Sequence, residues 1–155
     1  HPGYEYWKYC GMDHLWLDAS LSFWPDIIEL AEECEIDLAL ENIFESRPQT
    51  LVDLLDRIDS PRLGHCFDVG HWRLFAKTPL EAWFAEIGHR IIHLHLHDNT
   101  GKGDEHRPVG EGDIDFDRLF TLIAGIASTP SMTLEAHTIE ELNRSLVNIV
   151  PFLDR

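Results

Sequence analysis

The chain has 155 residues, 44% of them hydrophobic, with 28 Asp and Glu against 12 Lys and Arg, so its net charge is −16. That length suits one ordinary domain with a real core, and the acidity argues against nucleic acid as a partner, because phosphate contacts need Lys and Arg. No apolar stretch reaches the roughly 18 residues that mark a membrane span.

No signal peptide opens the chain, although a start at His1-Pro-Gly leaves room for a longer beginning. Three cysteines (Cys10, Cys34, Cys66) without a CxxC pair fit a reducing cytoplasm better than a disulfide framework.

The predicted elements alternate. Apolar residues at helical spacing (Ile27, Ile28, Leu30, Ala31, Cys34) predict a helix from about Leu21 to Glu35, with Pro25 and Asp26 near its start. A short strand follows at Asp37–Glu41, then a helix at Gln49–Ile58 and a strand at Leu63–Asp68. Thr78 as cap and Pro79 in the first turn open a helix that runs to Ile87. Ile91–Leu96 is a strand and His97–Asp113 a Gly-rich loop. Asp115–Ala127 is a helix, Met132–Glu135 a strand and Ile139–Phe152 a last helix. Alternation of this kind implies βα units, an α/β class and a parallel sheet.

Strand alternation assigns faces. Ala39 shares a face with Glu41, Cys66 with Asp68 and Thr133 with Glu135. His93, His95 and His97 share one face of their strand, and Ile92, Leu94 and Leu96 the other. Each candidate ligand thus stands at a strand end. In a parallel barrel those ends converge on the face that carries the active site. Glu, Asp and neutral His are also ligands for Zn, Mn or Mg, so the pattern points to a metal enzyme.

The pieces His1-Pro-Gly, Glu41-Asn, Asp68-Val-Gly-His71, His95-Leu-His-Asp98, Asp104-Glu-His106-Arg-Pro-Val-Gly-Glu-Gly112 and Leu-Glu135 occur in an order and spacing that resembles the xylose-isomerase-like barrel superfamily. That superfamily includes sugar isomerases and epimerases and the endonuclease-IV-type apurinic endonucleases. The stretch from His95 to Phe116 looks most like the sugar phosphate isomerase/epimerase branch. The resemblance implies a (β/α)8 TIM barrel of roughly 250 residues or more. This chain would supply strands five to eight and their helices, as a single domain over residues 1–155 with the N-terminal half of the barrel absent. It would then act as a homo-oligomer or need the missing half.

The resemblance also implies roles. Glu41, Asp68, His95 and Glu135 would hold one divalent metal (Mn, Mg, Co or Zn). His1, His71, Asp104 and His106 would extend the set towards the multi-metal arrangement of the endonuclease branch. The implied activity is a cytoplasmic sugar or sugar phosphate isomerase or epimerase. It would move a proton beside a carbonyl through a metal-stabilised enediolate, with Glu41 and Glu135 as acid and base. The alternatives are an apurinic endonuclease-type metal phosphodiesterase and an inactive barrel fragment.

Other residues stay open between roles. Asp68-x-x-His71 also reads as a hydrogen-bonded turn helped by Gly70. Asp104 and His106 are second-metal ligands or loop supports. His71, His97, Arg107 and Trp72 are candidates to touch substrate. Against that, a loop arginine is often just solvated, and Trp16 and Trp72 often pack in a core. His93 reads as a satisfied core histidine. Gly101, Gly103, Gly110 and Gly112 look like loop-shaping glycines, since no strand–GxGxxG–helix context surrounds them.

Overall fold

The alternation of strands and helices becomes a parallel sheet with its helices on one side. In the computed structural model, residues 11–153 are described. The order is α1 (Asp13–Glu33), β1 (Leu38–Glu41), α2 (Gln49–Ile58), β2 (Leu63–Asp68), α3 (Val69–Phe75) and α4 (Leu80–Ile87). A 3-10 turn (Gly88–Arg90), β3 (Ile91–Leu96), α5 (Phe116–Ala124), β4 (Ser131–Leu134) and α6 (Ile139–Leu153) complete it. The four strands lie in the order β1-β2-β3-β4, and all neighbours are parallel. Chain order equals spatial order because each helix returns the chain to the start of the next strand.

The core lies between the sheet and the helices. Phe67, Leu94 and Leu96 are fully buried there, with Leu51 of α2, Trp83 and Ile87 of α4 and Leu119 of α5. Helical spacing explains the α2 contribution: Leu51, Leu54 and Leu55 stand three and four apart on one stripe. Burying each such side chain stabilises the fold by about 1.5–3 kcal/mol. His65 also enters this core. Its Nδ1 donates to the Leu40 carbonyl at 2.8 Å, and its Nε2 is buried without a partner.

Several expectations need correction. Helix α1 begins at Asp13 rather than Leu21, and Pro25 lies inside it. Helix α3, at Val69–Phe75, is not among the elements expected from sequence; Asp68 is its N-cap. Thr78 does not cap α4: Pro79 holds the N-cap position and the Thr78 hydroxyl donates to the Ser46 carbonyl. Helix α5 ends at Ala124, where Gly125 forms its C-cap, and β4 spans Ser131–Leu134.

The faces assigned to β3 also shift at one end. A register irregularity between His65 and Cys66 breaks the alternation. Ile91, not Ile92, enters the core, and the Ile92 side chain occupies the space beside Gly64. His93 is half-buried on the opposite, inward face rather than in the core. Among the described residues, no helix is long and apolar enough to cross a membrane.

Candidate metal centre

Strand register assembles the site. Asp68 pairs with His95, and His95 pairs with Thr133, two residues before Glu135. Glu41 pairs with Cys66, two residues before Asp68. Period-two alternation then puts Glu41, Asp68, His95 and Glu135 on the inward face at one rim. Nδ1 of His95 lies 3.2 Å from Glu41 Oε1, 3.1 Å from Glu135 Oε1 and 3.7 Å from Asp68 Oδ2. Three carboxylates thus surround one imidazole nitrogen. Ligand atoms of Asp68, His95 and Glu135 form one group with the mutual spacing a single ion needs, and those of Glu41, Asp68 and His71 another.

Asp68 is the most tightly held member. It is fully buried, its Oδ1 accepts the His71 backbone N–H at 2.7 Å, and His97 Nε2 lies 3.2 Å from the same oxygen. The turn reading holds, because Asp68 caps α3, and its carboxylate also faces the cluster. Asn42 clamps the same residue from the end of β1. Its side-chain oxygen accepts the Asp68 N–H and its amide donates to the Asp68 carbonyl, both at 2.9 Å. Sequence reasoning places Asn42 beside Glu41 but gives it no role; an Asn at a strand end was the available signal.

A second group sits beside the first. Asp104 Oδ2 lies 3.4 Å from His71 Nε2 and 3.3 Å from His106 Nε2, while His71 Nδ1 lies 3.3 Å from Glu41. His106 stacks on His97 with centroids 3.9 Å apart, and His137 stacks on the outer side of His106 at 4.7 Å. His106 has a φ of 48°, a strained backbone for a non-glycine residue, and such strain concentrates at functional sites. The loop that carries Asp104 and His106 is tied down by the Asp98–Arg107 bridge, both bonds at 2.8 Å. The Asp98 carboxylate also accepts the N–H groups of Asn99, Gly112 and Ile114. Asp98 therefore organises the loop, and a β-carbon on Gly112 would lie 2.3 Å from it.

The electrostatics follow from this crowding. His95 is pushed up to about 12 by Asp68 first, then Cys66 and Glu41, against the effect of burial. Burial works against a charge on His71, but Glu41, Asp68 and Asp104 prevail and raise it to about 9. Burial would raise Asp68 as well, yet His95 and His97 hold it far below the usual carboxylate range. Burial likewise opposes the charge on Glu41, but His71 and His95 outweigh it and draw the carboxyl down. Without a metal, protons on the imidazoles balance the carboxylates.

The remaining candidates differ in their surroundings. Trp72 packs against the core and donates its indole N–H to the Thr78 carbonyl at 3.1 Å. The Arg107 guanidinium is engaged by Glu105 at 2.8 Å. His97 is fully buried with its Nδ1 unpaired, 4.0 Å from Asp104. Trp16 is half-buried on α1. His1 lies outside the described residues.

A parallel βα sheet with a carboxylate–histidine cluster at one rim of its strands is a barrel-type α/β fold with a candidate metal centre. The model of the xylose isomerase-like TIM barrel family matches residues 1–149, and the chain belongs to that family. An uncharacterised protein of Methanocaldococcus jannaschii, MJ1311, is 34% identical over 99% of this chain and 55% of its own length. A D-tagatose 3-epimerase-like protein of known structure is 31% identical. It superposes with a TM-score of 0.80 over 89% of this chain and 54% of its own. The TTHB071 protein from Thermus thermophilus, solved after soaking with zinc chloride, is 26% identical. Its TM-score is 0.73 over 92% of this chain and 56% of its own. The chain thus spans about half the length of the relatives it matches. Its fold is α/β, the xylose-isomerase-like TIM-barrel type.

Proposed function

We propose that this chain contributes the metal-binding side of a sugar or sugar phosphate isomerase or epimerase. The observation that carries this is the convergence of Glu41, Asp68 and Glu135 on His95 Nδ1, at 3.1–3.7 Å. With neutral His95 that donor set carries three negative charges, which suits a divalent ion of the Mg, Mn, Co or Zn type. The similarity to a D-tagatose 3-epimerase-like protein and to a zinc-soaked relative supports the same reading. The four strands are taken as one side of a barrel whose remaining strands complete the pocket.

A divalent ion bound there supplies Lewis-acid polarisation to adjacent substrate oxygens. The remaining work falls to the side chains. Glu41, on β1, and Glu135, beyond β4, approach His95 from opposite edges of the sheet. One carboxylate takes the proton from the carbon next to the carbonyl, and the electron pair moves onto the carbonyl oxygen. The other, protonated, returns a proton to the opposite face, which inverts that centre. Glu41, a carboxylate at neutral pH, can act as the base. Asp68, buried and bonded to His71 and His97, is fixed as a ligand. His71 flanks the cluster where substrate hydroxyls would bind, while His97, fully buried, holds the Asp68 carboxylate.

One observation favours a second reading. Asp104 bridges His71 and His106, which is a separate set of donors beside the first. A phosphodiesterase of the apurinic endonuclease type would use such a second ion. The net charge of −16 opposes DNA binding. A panel of ketoses and ketose phosphates, run beside incision of abasic-site DNA with each divalent metal, separates the two. Sugar turnover without incision is the expected result; incision without sugar turnover overturns it.

A further inference from the structure

The inward face holds two further donors, Cys66 and His93, that the proposed sugar chemistry does not use. Cys66 on β2 pairs directly with His93 on β3, one inward position below the Asp68–His95 pair. Ligand atoms of Cys66, His93 and His95 all lie within 4.8 Å of one another. The His93 and His95 rings stand edge-on, with centroids 5.3 Å apart.

We propose that Cys66, His93 and His95 form a further metal site, which takes a borderline-soft divalent ion such as zinc. The donor chemistry sets the two sites apart. A thiolate and two imidazoles select Zn or Co over Mg, whereas the carboxylates above suit harder ions. A bound metal deprotonates a coordinating thiol outright, so a buried thiol such as Cys66 can still ligate. His95 is the shared wall between them. His95 belongs to both groups, and as a neutral imidazole with one lone pair it ligates one ion at a time, so the two sites compete for it.

His93 is prepared for the role. Its Nδ1 lies 2.6 Å from Ser131 Oγ and its Nε2 3.0 Å from Thr133 Oγ1. A neutral imidazole has one N–H and one lone pair. When the lone pair turns to a metal, the N–H keeps one hydroxyl as acceptor, and ligating histidines are generally oriented in this way. His93 is only half-buried on the inward face, so an ion has a path to it.

Cobalt(II) reads the site directly, because a thiolate ligand produces a charge-transfer absorption that oxygen and nitrogen donors lack. The test uses the whole chain with Cys10 and Cys34 replaced by Ser, so that Cys66 is the only thiol. The charge-transfer band should appear on titration, vanish in Cys66→Ser and persist in Glu135→Gln. In His93→Gln the apparent cobalt affinity should fall about tenfold or more. His93 lies outside the core, so this variant should melt like the parent, and it decides the matter if Cys66→Ser fails to fold. No band at cobalt saturation overturns the site, as does a band lost with Glu135→Gln or a cobalt affinity unchanged in His93→Gln.

Discussion

A β-carbon on Gly70 would lie 2.0 Å from Cε1 of His97. The imidazole fills the space that any other residue at position 70 would claim. This contact lets α3 start directly after Asp68 while His97 reaches the Asp68 carboxylate.

Gly70→Ala should therefore damage both fold and site. The added methyl must displace a fully buried ring, and overpacking of that kind costs about 1–3 kcal/mol. Chemical denaturation should show that loss, with weakened metal binding beside it. An unchanged midpoint would mean that His97 can move aside without consequence.

Much of this arrangement is legible in the sequence. Period-two alternation put Glu41, Asp68, His95 and Glu135 on one face because the strands carry small or polar residues inward and large apolar ones outward. What stayed hidden came from contacts between elements. Ile92 escaped because a register irregularity against β2 reverses its face. Helix α3 escaped because its only start signal, Asp68, also reads as a ligand. The Asn42 clamp and the His97–His106–His137 stack join residues far apart in sequence, and no local period marks them. Trp72 looked available from sequence, yet its indole is turned to the core.

Metal binding should depend on pH with a definite sign. The metal-free site holds His95 at about 12 and His71 at about 9, so both are protonated at neutral pH. A metal needs His95 neutral and must displace its proton. Apparent affinity should thus rise about tenfold per pH unit for each proton displaced, from pH 6 to 9. For the metal-free protein, both histidines have raised folded-state values. Their stabilisation is present below the unfolded value near 6.5 and is lost as pH rises through about 9 for His71. Metal-free protein should melt lower at pH 9.5 than at pH 7, and metal should remove that difference. Calorimetric titration in two buffers of different ionisation heat counts the protons; affinity that is flat with pH would contradict the balance.

His65 titrates in the opposite sense. Burial lowers it to about 4, and its Nε2 has no partner for a second proton. A lowered folded-state value means that the unfolded chain binds more protons between pH 6.5 and 4, so stability falls on acidification through that window. The loss is on the order of 3 kcal/mol. Melts of wild type and His65→Gln from pH 7.5 to 4.5 check it. The variant should be less stable at pH 7.5 and lose less on acidification. Parallel curves would mean that another group controls the acid limb.

The sheet leaves its inward face and both edge strands uncovered among the described residues. Unpaired strand edges template association. The 155-residue chain by itself should therefore self-associate, and light scattering should report species larger than one copy. A well-behaved monomer with full activity would contradict the half-barrel interpretation.

The most direct measurement follows a proton. The metal-loaded protein is given the ketose it turns over, in heavy water, and the product is examined by NMR. Proton transfer by Glu41 and Glu135 places solvent deuterium at the exchanged carbon. Glu41→Gln and Glu135→Gln should slow turnover about a hundred- to ten-thousand-fold. Product formed without solvent deuterium would mean that hydrogen passes directly between carbons, and both glutamates would then be ligands rather than acid and base.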